Sequence, residues 1–120
     1  MKILVTGCAG FIGFSISELL LKKKFKIYGI DNLNSSYDKK LKLARLKELK
    51  KYKNFYFNKL DISNYNVLKN NFYKNKYTHI IHLAALAGVR NSIEYPEKYL
   101  KNNISAFYNI IDLSKSINVD

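Results

Sequence analysis

Short β-branched apolar runs alternate along this chain with stretches whose apolar residues recur every three or four positions, and the alternation happens four times. Lys2-Ile3-Leu4-Val5-Thr6 predicts a strand; Ile12, Ile16, Leu19 and Leu20 predict one face of a helix reaching Leu21. Lys26 to Ile30 predicts a second strand, ending in Asp31, and Asn32 to Asp38 is a loop rich in turn formers. Leu43, Leu46, Leu49 and Tyr52 form the apolar line of a helix expected over 39–52, and 54–60 reads as a third strand. Ser63 is the expected N-cap of a helix whose inward side is Tyr65, Leu68 and Phe72. The run from Thr78 to Leu83 predicts a strand buried on both faces, delivering the small residues Ala84 to Gly88. Pro96 suits the first turn of a last helix with Leu100, Ile104, Phe107 and Ile111 on one face.

Strand and helix alternate throughout, so the fold class is α/β. Right-handed crossovers between parallel strands then give a Rossmann-like doubly wound sheet in spatial order 3-2-1-4. The crevice of such a sheet lies between the ends of strands 1 and 4. Residues after both strands are therefore candidates for one site.

Between the first strand and first helix stand Gly7, Gly10 and Gly13, spaced three apart. A helix start carries amides without intrahelical partners and roughly half a positive charge, and glycines let a diphosphate approach them. The spacing is one residue longer than the usual dinucleotide fingerprint, but the context of strand, turn and helix is the same. Asp31 ends the second strand 18 residues after Gly13, near the distance at which an acid meets an adenosine ribose. Against a 2′-phosphate a lone carboxylate there would cost about 4 kcal/mol at an effective dielectric near 20, so NAD is expected over NADP. The bland alternative has Asp31 opening a turn with Asn32 and Asn34.

Composition narrows the class further. With 48% hydrophobic residues over 120 positions the chain is one folded domain or part of one. No apolar run approaches the ~20 residues of a membrane helix, no signal peptide is evident, and the single cysteine, Cys8, excludes an internal disulfide; a cytoplasmic protein is expected. Cys8 reads as a small side chain that fits the glycine turn. The formal charge of +12 is spread over lysines along helices and loops without any nucleic-acid motif, so a solvated basic surface is expected and nucleic-acid binding is the minority reading. No metal-ligand spacing and no serine-histidine-acid arrangement occurs.

Thr6-Gly7-x-x-Gly10-Phe11-Ile12-Gly13, Asp31-Asn32, Asp61-Ile62, His82-Leu83-Ala84-Ala85 and Asn103-Ile104 resemble the extended short-chain dehydrogenase/reductase superfamily of NAD-dependent sugar-nucleotide epimerases and dehydratases. Asp31 to Asp38 with Leu41-Lys42-x-Ala44-Arg45-Leu46, and Ala87-Gly88-Val89-Arg90-Asn91-Ser92-Ile93-Glu94-x-Pro96, resemble UDP-glucuronate 4-epimerases. The resemblance implies that Gly7, Gly10 and Gly13, with Phe11 and Ile12 at the helix start, hold the NAD diphosphate. It places Asp31 and Asn32 at the adenosine ribose, and Asp61 and Ile62 at the adenine edge. Leu83, Ala84, Ala85 and Ala87 would line the nicotinamide side, Asn103 would brace the site, and Arg90 would reach the cofactor or the sugar nucleotide. Bland roles exist for Asp61 as a turn opener, Asn103 and Arg90 as surface residues, and His82 as a packed strand residue. Two positions depart from the family pattern: Leu86 stands where Gln is usual, and Ala106 where Gly is usual.

The same resemblance implies a Tyr-x-x-x-Lys pair that carries the chemistry. No tyrosine with a lysine four residues later stands where it could serve, so residues 1–120 are expected to be the N-terminal part of an NAD-binding domain, cut before a fifth strand. No catalytic residue is assigned in this chain. A UDP-sugar substrate and a full-length homodimer are implied, with no membrane partner. The competing readings are another epimerase or 4,6-dehydratase, and a non-catalytic nucleotide-binding module.

Overall fold

The computed structural model describes residues 1–34 and 38–119; the expected loop residues Ser35, Ser36 and Tyr37 lie outside the described residues, as does Asp120. Four strands form one parallel sheet: β1 (Lys2–Thr6), β2 (Lys26–Asp31), β3 (Phe55–Lys59) and β4 (His79–His82). Their order is β3-β2-β1-β4, as the alternation of elements predicts. Register places Val5 between Gly29 and Ile81, so β1 is central to the site end of the sheet.

Period-2 alternation sends Ile3 and Val5 to one face and Leu4 to the other. The first face packs under α1 (Phe11–Lys22) and α2 (Lys39–Leu49), with Leu21, Ile27, Leu46 and Leu49 buried together. The second packs under α3 (Tyr65–Asn75) and α6 (Ala106–Ser116), with Ile30, Leu68, Phe72, Ile110 and Leu113. Both layers of a doubly wound sheet are thus present.

Several helix faces differ from expectation. In α1 the buried line is Gly13, Ser17 and Leu21, while Ile12 and Leu19 are exposed, because the helix presses its smallest residue against the glycine turn. In α2 the buried line is Lys42, Leu46 and Leu49, at i, i+4 and i+7; Leu43 is exposed, and Tyr52 follows the helix end. Asn64, not Ser63, caps α3, its side chain accepting the Val67 amide at 3.3 Å. β4 is half-buried along its length instead of enclosed on both faces, since it pairs only with β1 among the described residues.

The chain after β4 departs most. A short α4 (Val89–Glu94) precedes α5 (Pro96–Tyr99), which does begin at Pro96, and a π-helical segment (Leu100–Ser105) joins it to α6. The wide turn shifts helical phase. Ala106, Asn109, Ile110 and Leu113 face inward, and Leu100, Ile104, Phe107 and Ile111 stay exposed.

Candidate functional site

The carboxyl ends of the strands open into a cleft lined by Gly7 and Gly10 from the turn, Ile30 and Asp31 at the end of β2, Asn32 and Asn34 beyond it, Leu60 and Ile62 after β3, and Leu83 to Leu86 after β4. Lys42 and Asn102 complete it. This is the crevice where an open α/β sheet takes a ligand.

The floor is the glycine turn. Gly7 has φ of +71°, and a Cβ on it would lie 2.9 Å from the Ala84 nitrogen; only glycine lets the turn lie this close to the mouth of β4. A Cβ on Gly13 would lie 2.0 Å from the Gly7 carbonyl oxygen, so its role in this structure is to seat α1 on the turn. Gly10 caps α1 with an extended backbone and no side chain, leaving the amides at Phe11, Ile12 and Gly13 without intrahelical acceptors. Phe11 and Ile12 themselves are exposed and do not line the cleft.

Asp31 is 6% exposed and does two things at once. Its Oδ2 accepts the Ala9 amide at 3.1 Å and its Oδ1 accepts the Leu33 amide at 2.8 Å, which ties β2 to the glycine turn and opens the following loop. The Asn32 carbonyl side-chain oxygen accepts the Asn34 amide in the same manner. The carboxylate still lines the cleft. Beside it Lys42, also 6% exposed, brings its ammonium to 3.5 Å from Asp31 Oδ1 and donates to Asn34 Oδ1 at 3.1 Å. Arg45, one turn further along α2, donates to the Ala9 carbonyl at 3.2 Å and lies over the Phe11 ring. Under the turn, burial and then the nearby Asp31 push the Cys8 thiol well above its ordinary pKa, so it is an inert packing residue.

Thr6 joins the two mouths. Its hydroxyl oxygen accepts the Leu83 and Ala84 amides, both at 3.1 Å, so its own proton goes to His82 Nδ1 at 2.6 Å. His82 is then neutral with its hydrogen on Nε2, in agreement with burial pulling its pKa down, and its ring stacks on Phe107. It is a packed strand residue.

The other expected residues fall in three places. Ile62 lines the cleft, held by Asn109, whose amide donates to the Ile62 and Ser63 carbonyls at 3.0 and 3.3 Å. Asp61 lines an adjoining recess with Asn32 and Tyr99, and also accepts the Ser63 amide at 2.9 Å. Asn103 clamps the backbone after β4 from both sides: Oδ1 accepts the Leu86 amide at 2.7 Å and Nδ2 donates to the Leu86 carbonyl at 2.9 Å. Tyr99 similarly donates to the Ala87 carbonyl at 2.8 Å. Ala87 and Arg90 are exposed and outside the cleft, and Leu86 puts an apolar side chain on its wall.

Sequence reasoning did not single out Thr6 as a clamp, nor Lys42, Tyr99, Asn102 or Asn109. No local signal marked them, because only the fold shows that positions 42 and 109 point inward. The one Tyr-x-x-x-Lys spacing, Tyr65 and Lys69, lies on α3 outside the cleft; Tyr65 donates to Asp112 at 2.7 Å, which raises its pKa. Among the described residues no group of three His, Cys, Asp or Glu could hold a metal, and no helix is long and apolar enough to cross a membrane.

Comparison with known proteins agrees with this geometry. The UDP-glucuronate 4-epimerase of Thermodesulfobacterium geofontis is 48% identical over 97% of this chain, which spans 36% of that protein. UDP-glucuronate 4-epimerase 4 of Arabidopsis thaliana is 39% identical over 98% of the chain, which spans 27% of it. Among solved structures, UDP-glucuronic acid 4-epimerase from Bacillus cereus, in complex with UDP-glucuronic acid and NAD, superposes with a TM-score of 0.90 at 34% identity, over all of this chain and 38% of that one. The chain spans about a third of the length of the relatives it matches. The family model described as GDP-mannose 4,6 dehydratase matches residues 4–120, and the chain therefore belongs to that family of NAD-dependent epimerases and dehydratases.

Proposed function

We propose that this chain forms the NAD-binding part of a nucleotide-sugar 4-epimerase of the UDP-glucuronate type. The observation that carries the reading is the pairing, in one cleft, of a helix start capped by glycine without a side-chain bond and a buried carboxylate at the end of β2. The residues fit the cofactor: Gly7 and Gly10 border the space next to the α1 amides, and Asp31 borders the space one strand away. When bound, NAD would supply a reversible hydride acceptor for the sugar C4.

The protein's own part is binding and orientation. The α1 amides bind diphosphate oxygens. Asp31 accepts from the ribose while its bonds to the Ala9 and Leu33 amides fix its direction. Asp61 and Ile62 meet the adenine edge, and Leu83 to Ala85 line the nicotinamide side. Asn103 holds the Leu86 backbone in place. A 4,6-dehydratase is the second reading, favoured by the description of the family model; the identity to UDP-glucuronate 4-epimerases over nearly the whole chain favours the first.

Calorimetric titration of the purified protein tests the binding role. NAD binds the wild type, and Asp31→Ala weakens it roughly 10- to 150-fold, the equivalent of about 1.5–3 kcal/mol for charge-assisted hydrogen bonds. An unchanged dissociation constant in a folded Asp31→Ala protein, by circular dichroism, contradicts the reading.

A further inference from the structure

We propose that Lys42 is a cofactor-specificity residue: its ammonium offsets the Asp31 carboxylate at the adenosine ribose, so the cleft rejects a 2′-phosphate far less strongly than a lone carboxylate does. This rests on the dinucleotide reading of the cleft and deepens it.

Lys42 occupies a core position. It stands one helical turn before Leu46 and two before Leu49, both buried, and is itself 6% exposed. Lysine is almost never buried to that degree unless paired, and an apolar side chain there would extend the α2 face without the cost of stripping water from a charge. Nor does Asp31 need the lysine to hold its direction, because the Ala9 and Leu33 amides already fix both oxygens. What the lysine adds is charge. Its Nζ is 3.5 Å from Asp31 Oδ1 and 3.1 Å from Asn34 Oδ1, and it lines the same cleft as the carboxylate. A 2′-phosphate entering there meets a pair of near-zero net charge, whereas the ribose diol of NAD meets one acceptor and one donor.

The test is a double-mutant cycle on the ratio of NADP to NAD dissociation constants, measured by titration of the purified protein. Lys42→Met raises that ratio at least tenfold, since Asp31 then faces the phosphate alone. Lys42→Arg keeps it within about threefold of the wild type. Asp31→Asn lowers it at least tenfold, because the carboxylate charge that opposed the ammonium is removed, and adding Lys42→Met to Asp31→Asn abolishes that drop. Equal loss of both affinities in Lys42→Met marks a structural prop and overturns the proposal. So does a drop that persists in the double variant. Should Lys42→Met fail to fold, Lys42→Gln takes its place in the same cycle, and an unchanged ratio in a folded Lys42→Gln protein overturns the proposal. Failure of the wild type to bind NAD at all is a different result: it removes the dinucleotide reading before any variant is made.

Discussion

Burial makes His82 accept a proton poorly, and the Thr6 hydroxyl already occupies its Nδ1 while the Leu83 and Ala84 amides occupy the remaining lone pairs of that hydroxyl. Protonation would aim three donors at one oxygen. The folded-state pKa is depressed below the ordinary value of 6.5, so the unfolded chain binds more protons in that window. Stability is therefore full above about pH 6.5 and is lost as pH falls through the folded value. Urea midpoints between pH 7 and 5 should decline in the wild type and decline less in His82→Gln, whose amide oxygen still accepts from Thr6. Parallel declines would show that His82 contributes nothing. Asp31 was legible from its distance to the glycines, because that spacing is local to one βαβ unit. Lys42 was not: a lysine on a lysine-rich helix breaks no local rule, and only the fold reveals that position 42 points inward.

At the level of elements, apolar periodicity identified each strand and most helices but chose the wrong side of three helices. A line of leucines and isoleucines says that a helix has an apolar face; it does not say which side meets the sheet. In α1 the backbone contact at Gly13 decides, and in α2 the Asp31–Lys42 pair accompanies the inward side. After β4 the π-helical turn decides, sending Ile110 inward and leaving Ile104 60% exposed. Two substitutions on this one stretch should therefore behave in opposite ways. Ile104→Lys should change unfolding free energy by no more than about 0.5 kcal/mol. Ile110→Ala should cost about 2–5 kcal/mol, since it empties a site packed against Leu68 and Phe72. Denaturant titration of both compares them directly, and equal costs would contradict the phase described for this helix.

For the molecule as a whole, strand order was readable because alternation and crossover handedness leave few arrangements, and that order alone brings the ends of β1 and β4 together. The cleft follows from topology; its clamps do not. Thr6, Asn103 and Asn109 are each bonded across 17 to 78 residues of sequence, and such partners appear only when the sheet has closed. The central claim is that a dinucleotide lies across the glycine turn. It is tested most directly by amide chemical-shift mapping of the isotope-labelled protein during NAD titration. The largest shifts should fall on residues 7 to 13, on Asp31 and Asn32, and on Leu83 to Ala85. Saturating NAD that leaves the amides of Gly10, Phe11 and Ile12 unmoved would contradict the account.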